Sequence, residues 1–298
     1  MNRNAGLLFS ILLVLSVCIA NAQPSLSITR PDGLKVIVVD AKYPLLKVLL
    51  PGESPSDKGI ETEFPEHVTG LNQQSKQSEH LYLVSMGNAN KRTMPAWQVT
   101  GNTISYKTDL DSAITMVASV TIEKDGLRYR YQLINRSGRS YKNLQAVTCV
   151  KLYSLFADTL LERTYVHHPQ GFDLLASETP QRLTMGLQQW LPCRYLVSYT
   201  WPVNPNRVET VDGITRYNKS KKADKPFIAT LSHDHKWIAA TYTKETGNLW
   251  TNPERSCQHA DPATDLNAGE TKTLELKTFI IKGNLDEVLN LVNNEMRK

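Results

Sequence analysis

Residues 114–134 alternate apolar and polar positions with a period of two. Ala118, Val120 and Ile122 point one way along a first arm, and Leu127, Tyr129, Tyr131 and Leu133 alternate with Arg128, Arg130 and Gln132 along a second. Asp125-Gly126 lies between them, a step that suits a tight turn, so the pattern predicts an antiparallel hairpin. Apolar runs at 35–40 and 45–50, parted by Tyr43-Pro44, predict a second strand pair. Residues 144–152 read as another strand, 226–231 and 237–243 as a hairpin closed by Ser232 to Lys236, and 271–282 as one long strand. The stretch 51–78 is different: prolines, glycines, glutamines and charges with little periodicity predict a long surface loop. A helical period emerges only at the end, where Leu285, Val288, Leu289 and Val292 share a face behind Asn284 or Asp286 as N-terminal residue. Strands do not alternate with helices. The expected fold is therefore mainly β, a large antiparallel two-sheet β-sandwich with a short C-terminal helix.

The first residues belong to a different pattern. Arg3, an apolar run from Gly6 to Ala20, and Ala20-Asn21-Ala22 ahead of Gln23 predict a signal peptide over 1–22. That run is shorter than the ~20 residues a membrane span needs. Residues 23–298 are expected to form a single β-sandwich domain, exported to the periplasm or secreted, with no integral membrane segment after processing. Cys149, Cys193 and Cys257 follow the signal segment, so at most one internal disulfide forms and one thiol is left over. The formal net charge is +5, and the basic cluster at 219–225 reads as a solvated loop. No nucleic-acid partner is expected of an exported chain.

Two passages carry a resemblance. Residues 121–152 hold one strand ending Leu133-Ile134-Asn135-Arg136-Ser137 and a second ending Cys149-Val150-Lys151-Leu152. This resembles the strand, Asn, small polar turn, strand passage of galactose-mutarotase-like and related carbohydrate-processing β-sandwiches. Gly247-Asn248-Leu249-Trp250-Thr251-Asn252-Pro253, followed by Cys257-Gln258-His259-Ala260-Asp261-Pro262, is similar to a passage of uncharacterised secreted proteins from polysaccharide-degrading bacteria. The resemblance implies an oligosaccharide or polysaccharide partner. It transfers no catalytic residue.

Candidate chemistry centres on histidine, which changes charge near neutral pH and serves as acid or base. His167 and His168 follow Tyr165, His233 and His235 flank Asp234, and His259 lies just past Arg255. A lyase or dehydratase acting on uronate-containing sugars needs a base, an acid for the leaving oxygen and a cation for the developing charge, roles that His, Tyr and Arg fill. Tyr165, His167, His168, His233, His235, Arg255 and His259 are therefore the catalytic candidates. Trp250, Asn252 and Trp201 are the sugar-binding candidates, with Trp190 among further aromatics. The alternatives are a non-catalytic carbohydrate-binding or surface-interaction protein, in which only the aromatics matter, and a glycoside hydrolase or sugar epimerase. For a hydrolase Glu162, Glu178, Asp234, Glu245 and Glu254 are the carboxylates available. No motif requires a cofactor. A divalent metal is an option, because His233-x-His235 and Cys257-x-His259 place both side chains on one side of an extended segment.

Overall fold

The computed structural model describes residues 26–41, 43–81, 96–110, 114–178, 193–201, 208–211 and 214–298; the segment 1–22 and Trp190 lie outside them. The fold is mainly β, with two large antiparallel sheets and one short helix.

The first sheet runs in the order β1 (Ser27–Thr29), β2 (Lys35–Val39), β3 (Leu45–Leu49), β4 (Ile60–Asn72), β10 (Tyr141–Leu152) and β19 (Cys257–Gln258). Two short strands join it: β5 (Ser78–Leu81) pairs with β4, and β20 (Ala263–Leu266) with β10. The second sheet opens with β12 (Gly171–Leu174), β11 (Thr164–His168), β16 (Phe227–Leu231), β17 (Trp237–Tyr242) and β21 (Thr271–Lys282). It continues through β9 (Gly126–Asn135), β8 (Ile114–Glu123), β7 (Thr103–Leu110) and β6 (Gln98–Thr100). A third sheet is small: β14 (Val208–Val211), β15 (Ile214–Asn218), β13 (Cys193–Ser198) and β18 (Asn248–Thr251), with β13 and β15 parallel.

The alternating arms of β8 and β9 bury one face against the first sheet. Phe64 of β4 meets Tyr106, Tyr129 and Tyr131 at centroid distances of 5.4–5.5 Å. Each tyrosine hydroxyl in this core is satisfied: Tyr129 pairs with Thr62 at 3.1 Å, Tyr131 with Thr148 at 2.6 Å, and Tyr106 donates to the Phe64 carbonyl. Gly126 begins β9 at φ +155°, and a Cβ there would lie 2.0 Å from the Thr278 carbonyl oxygen of β21. Only glycine permits that approach.

β16 and β17 are buried on both faces. Ile238, Ala240, Phe227 and Ala229 face α1 (Leu285–Met296), which lays Val288 and Val292 against them. Asn284 caps the helix, accepting from the Glu287 amide at 3.1 Å while the Glu287 carboxylate accepts from the Asn284 amide at 2.7 Å. At its far end Glu295 accepts from Arg128 at 2.9 Å and from Lys277 at 3.1 Å, and Lys277 also reaches Glu123 at 2.7 Å and Asp125 at 2.9 Å. Burial would raise the Glu295 carboxyl, but Lys298, Lys277 and Arg128 pull it down to about 2.

One expectation is overturned. Residues 51–78 are not a long loop, because Ile60–Asn72 is the thirteen-residue strand β4 near the middle of the first sheet. Its inward residues are Thr62, Phe64 and Val68, while Glu63 and His67 occupy the opposite side, so both faces meet other side chains and no plain apolar alternation survives. Pro65 also breaks the pattern, and the pairing with β10 shifts beside it, between the Val147↔His67 and Cys149↔Glu63 pairs.

Candidate functional site

β4 and β10 each turn one face into the sandwich and the other away from it. On β10, Ala146, Val150 and Leu152 enter the core and Thr148 hydrogen-bonds Tyr131, so Val147, Cys149 and Lys151 face outward. The register sets Cys149 across from Glu63 and Val147 across from His67. On the other flank Lys151 pairs with Cys257 of β19. Charged and titratable side chains thus collect on the outer face of the first sheet. Lys151 and Glu63, both nearly buried, form a close ion pair.

At the open end of this face, β5 lays His80 beside His67, ring centroids 5.3 Å apart. His80 is exposed and His67 half-buried. Burial, and then the neighbouring His80, lower the His67 imidazole to about 4, against the opposing charges of Asp261 and Glu63. His67 is therefore neutral at physiological pH. Arg255, at the surface turn Pro253–Arg255, brings a cation to the same neighbourhood; burial works against its charge, and Cys149 and Glu63 favour it.

The other end is closed. His259 is fully buried; its ring lies parallel to Trp250 with centroids 3.5 Å apart, and its backbone exchanges two hydrogen bonds with that residue. Asp261 anchors the group, accepting from the Trp250 indole at 3.0 Å and the Thr148 amide at 3.0 Å, and it faces His259 Nδ1 at 3.4 Å. Burial disfavours a charged His259, but Asp261, with Cys149 beside it, raises it to about 10. Cys149 and Cys257 are unbridged, and their sulfurs lie with a His259 ring nitrogen all within 4.8 Å of one another. This trio is the set able to hold a metal among the described residues. The Cys193 side chain lies outside them.

The histidines expected to converge do not. His167 binds Asp224 at 2.6 Å and His168 binds the Lys222 carbonyl at 2.8 Å, so both fasten the 219–225 segment to β11. That segment is not wholly solvated either: Lys219 is buried against Asp173 at 2.6 Å and Glu178 at 3.4 Å. His233 and His235 are exposed in the hairpin turn, His233 beside Arg163 at 3.4 Å. Among the described residues no hydrogen bond or ring contact joins these four to His259. Tyr165 is half-buried in β11, across from Leu174 and Ala229. Four of the five candidate carboxylates are engaged elsewhere: Glu178 with Lys219, Glu254 with Arg194 at 3.5 Å, Asp234 with Ser232 and Lys236 inside its own turn, and Glu245 with Thr243; Glu162 is exposed.

The aromatic candidates are also reassigned. Trp250 sits in β18 rather than a loop, with His259 on its ring and the Arg194 guanidinium 5.4 Å from its centroid. It is half-buried and braces His259. Trp201 covers Gly247 so closely that a Cβ there would come within 1.9 Å of its ring. Asn252 is nearly buried, and its backbone carbonyl accepts from Arg255 and Cys257. The residues that sequence reasoning missed are His67, His80, Glu63, Cys149 and Asp261. Arg255, Trp250 and the period-two spacing of Cys257 and His259 pointed to this neighbourhood.

A cavity of about 310 Å³ between β17, β21 and α1 is lined by Arg128, Tyr242, Lys277 and Glu295. Its charges are those that dock the helix, so it belongs to the seam. Among the described residues no helix is long and apolar enough to cross a membrane.

No protein-family model matches the chain, and no curated protein matches it. Solved structures do. The chain is similar to a galactose mutarotase related enzyme from Lactobacillus acidophilus, at 9% identity over 87% of this chain and 97% of that one, TM-score 0.46. A galactose mutarotase-like protein from Clostridium acetobutylicum gives 11% identity over 85% and 94%, TM-score 0.42. An alpha-N-acetylgalactosaminidase from Bifidobacterium bifidum gives 9% identity over 91% of this chain and 39% of that one, TM-score 0.49. The likeness is one of overall fold and assigns no substrate.

Proposed function

We propose that this protein is a carbohydrate-processing enzyme that works by proton transfer, with the chemistry of a sugar epimerase. The observation that carries the reading is the His67–His80 pair: two imidazoles 5.3 Å apart on adjacent strands, at the solvent-facing end of a charged sheet face. Inverting a sugar at its anomeric carbon needs a base to take the hydroxyl proton and an acid to protonate the ring oxygen as the ring opens; the roles then reverse. His67, neutral down to a pH of about 4, is the base in this reading, and His80 is placed to give or relay the second proton. Such catalysis contributes typically 10²–10⁴-fold. Arg255, exposed at its turn, stabilises negative charge and suits an acidic sugar. The sugar itself is proposed from the resemblance of residues 121–152 and 247–262 to carbohydrate-processing and secreted proteins. Export through residues 1–22 is part of the same proposal.

A lyase or dehydratase would employ the same base but would remove water or cleave the chain. The test follows both outcomes. Single-anomer aldoses and uronic acids are dissolved with and without the protein, and anomer exchange is followed by proton NMR; uronate-bearing oligosaccharides are weighed by mass spectrometry in parallel. Faster exchange at constant mass supports the epimerase. Loss of water or chain cleavage replaces it with the elimination reading, and no change with any sugar refutes enzymatic proton transfer on sugars.

A further inference from the structure

Three soft or borderline ligand atoms meet at the closed end of the outer face. Cys149 comes from the middle of β10, and Cys257 and His259 come from β19 and the residue following it; all three are buried. The Cys149 sulfur, the Cys257 sulfur and a His259 ring nitrogen lie within 4.8 Å of one another. In a tetrahedral zinc site with Zn–S of about 2.3 Å and Zn–N of about 2.0 Å, ligand atoms stand roughly 3.5–4 Å apart. The cluster needs only a small contraction to close on an ion.

A second observation points the same way. Asp261 faces Nδ1 of His259 at 3.4 Å, which leaves Nε2, and Nε2 is buried with no hydrogen-bond partner among the described residues. Buried ring nitrogens are seldom left so. A histidine turned by a carboxylate on one nitrogen and bare on the other has the form of a metal ligand with its outer support in place. The support is itself rigid: Asp261 is held by the Thr148 amide and the Trp250 indole, and Trp250 stacks on the histidine ring.

We propose that Cys149, Cys257 and His259 form a zinc site, with Asp261 as the positioning carboxylate. Charge favours zinc over a monovalent soft ion, because two thiolates and Zn²⁺ sum to zero, and burial makes a residual charge costly. A disulfide is the competing fate of the two sulfurs, and the register argues against it. Cys257 pairs with Lys151, two residues along β10 from Cys149, so the cysteines are diagonal neighbours. Diagonal positions stand about 7–8 Å apart between Cα atoms, beyond the roughly 4.4–6.8 Å that a disulfide spans. The site is independent of the proton-transfer reading, since His67 and His80 contribute no ligand to it.

The full chain, purified after expression with added zinc, tests the site directly. Elemental analysis is expected to find one zinc per chain. Replacement by cobalt is expected to produce a thiolate-to-cobalt charge-transfer absorption that Cys257→Ser weakens, the Cys149 thiolate remaining. Asp261→Asn keeps all three ligands and is expected to weaken zinc affinity 10–100-fold. It guards against a cysteine variant that fails to fold, which circular dichroism would reveal. Absence of metal, zinc retained at full affinity in both variants, or a Cys149–Cys257 disulfide found by mass spectrometry would each overturn the proposal.

Discussion

Glu295→Gln removes one charge from the cluster that fastens α1 to the second sheet, while keeping the side chain's shape. The carboxylate is 8% exposed and accepts from Arg128 at 2.9 Å, Lys277 at 3.1 Å and Lys298 at 3.0 Å. Its proton affinity is lowered from 4.5 to about 2. At 1.36 kcal/mol per unit, that difference corresponds to roughly 3 kcal/mol of stability at neutral pH. Glu123 and Asp125 still face Lys277 in the variant, so the net loss should be about 2 kcal/mol. For a chain of this size this lowers Tm by roughly 3 °C. The sign with pH follows from the direction of the shift: a depressed carboxyl stabilises the fold above its unfolded value, and the contribution fades as pH falls through the folded one. The gap between wild type and variant should hold from pH 7 to about 5 and shrink to less than half by about pH 3. Urea unfolding followed by tryptophan fluorescence at both pH values measures it. Equal midpoints at pH 7, or a gap unchanged at pH 3, would refute the assignment of helix docking to this ion cluster.

Other outcomes follow from the same packing. Gly126→Ala drives a Cβ toward the Thr278 carbonyl and should cost about 3 kcal/mol or more, seen in the urea midpoint. Asn284→Ala deletes one half of the capping box and should cost about 1 kcal/mol by the same measurement. His233→Ala and His235→Ala alter exposed turn residues, and a sugar-turnover assay should find both within twofold of wild type.

Where one face of a strand is apolar and the other wet, the sequence displays the element directly, as in β8, β9 and β21, whose hairpin and long strand were expected. The helix was equally plain because its apolar stripe and its Asn284 cap coincide. β4 was hidden for a physical reason. A strand that packs Phe64 and Val68 on one side and presents Glu63 and His67 on the other, with Pro65 shifting its register, has a polar, irregular text that reads as loop. The site was lost with it. Histidines adjacent in sequence drew attention, and His167 and His168 fasten a neighbouring segment, while His67 and His80 meet through strand pairing across intervening residues. No sequence pattern reveals that the Trp250 ring stacks on His259.

The central claim is that His67 supplies the base. Sugar turnover by wild type and by His67→Gln, measured from pH 4 to pH 8, tests it most directly. The groups facing His67 are His80 from β5, Glu63 on its own strand, and Asp261 and His259 beyond β19, so the wild-type profile is read against their charges. The account predicts that wild-type activity persists through neutral pH and fails only as pH falls toward about 4, and that His67→Gln is at least 10²-fold slower throughout with its fold intact. Full activity of His67→Gln, with the wild-type pH profile preserved, would contradict it.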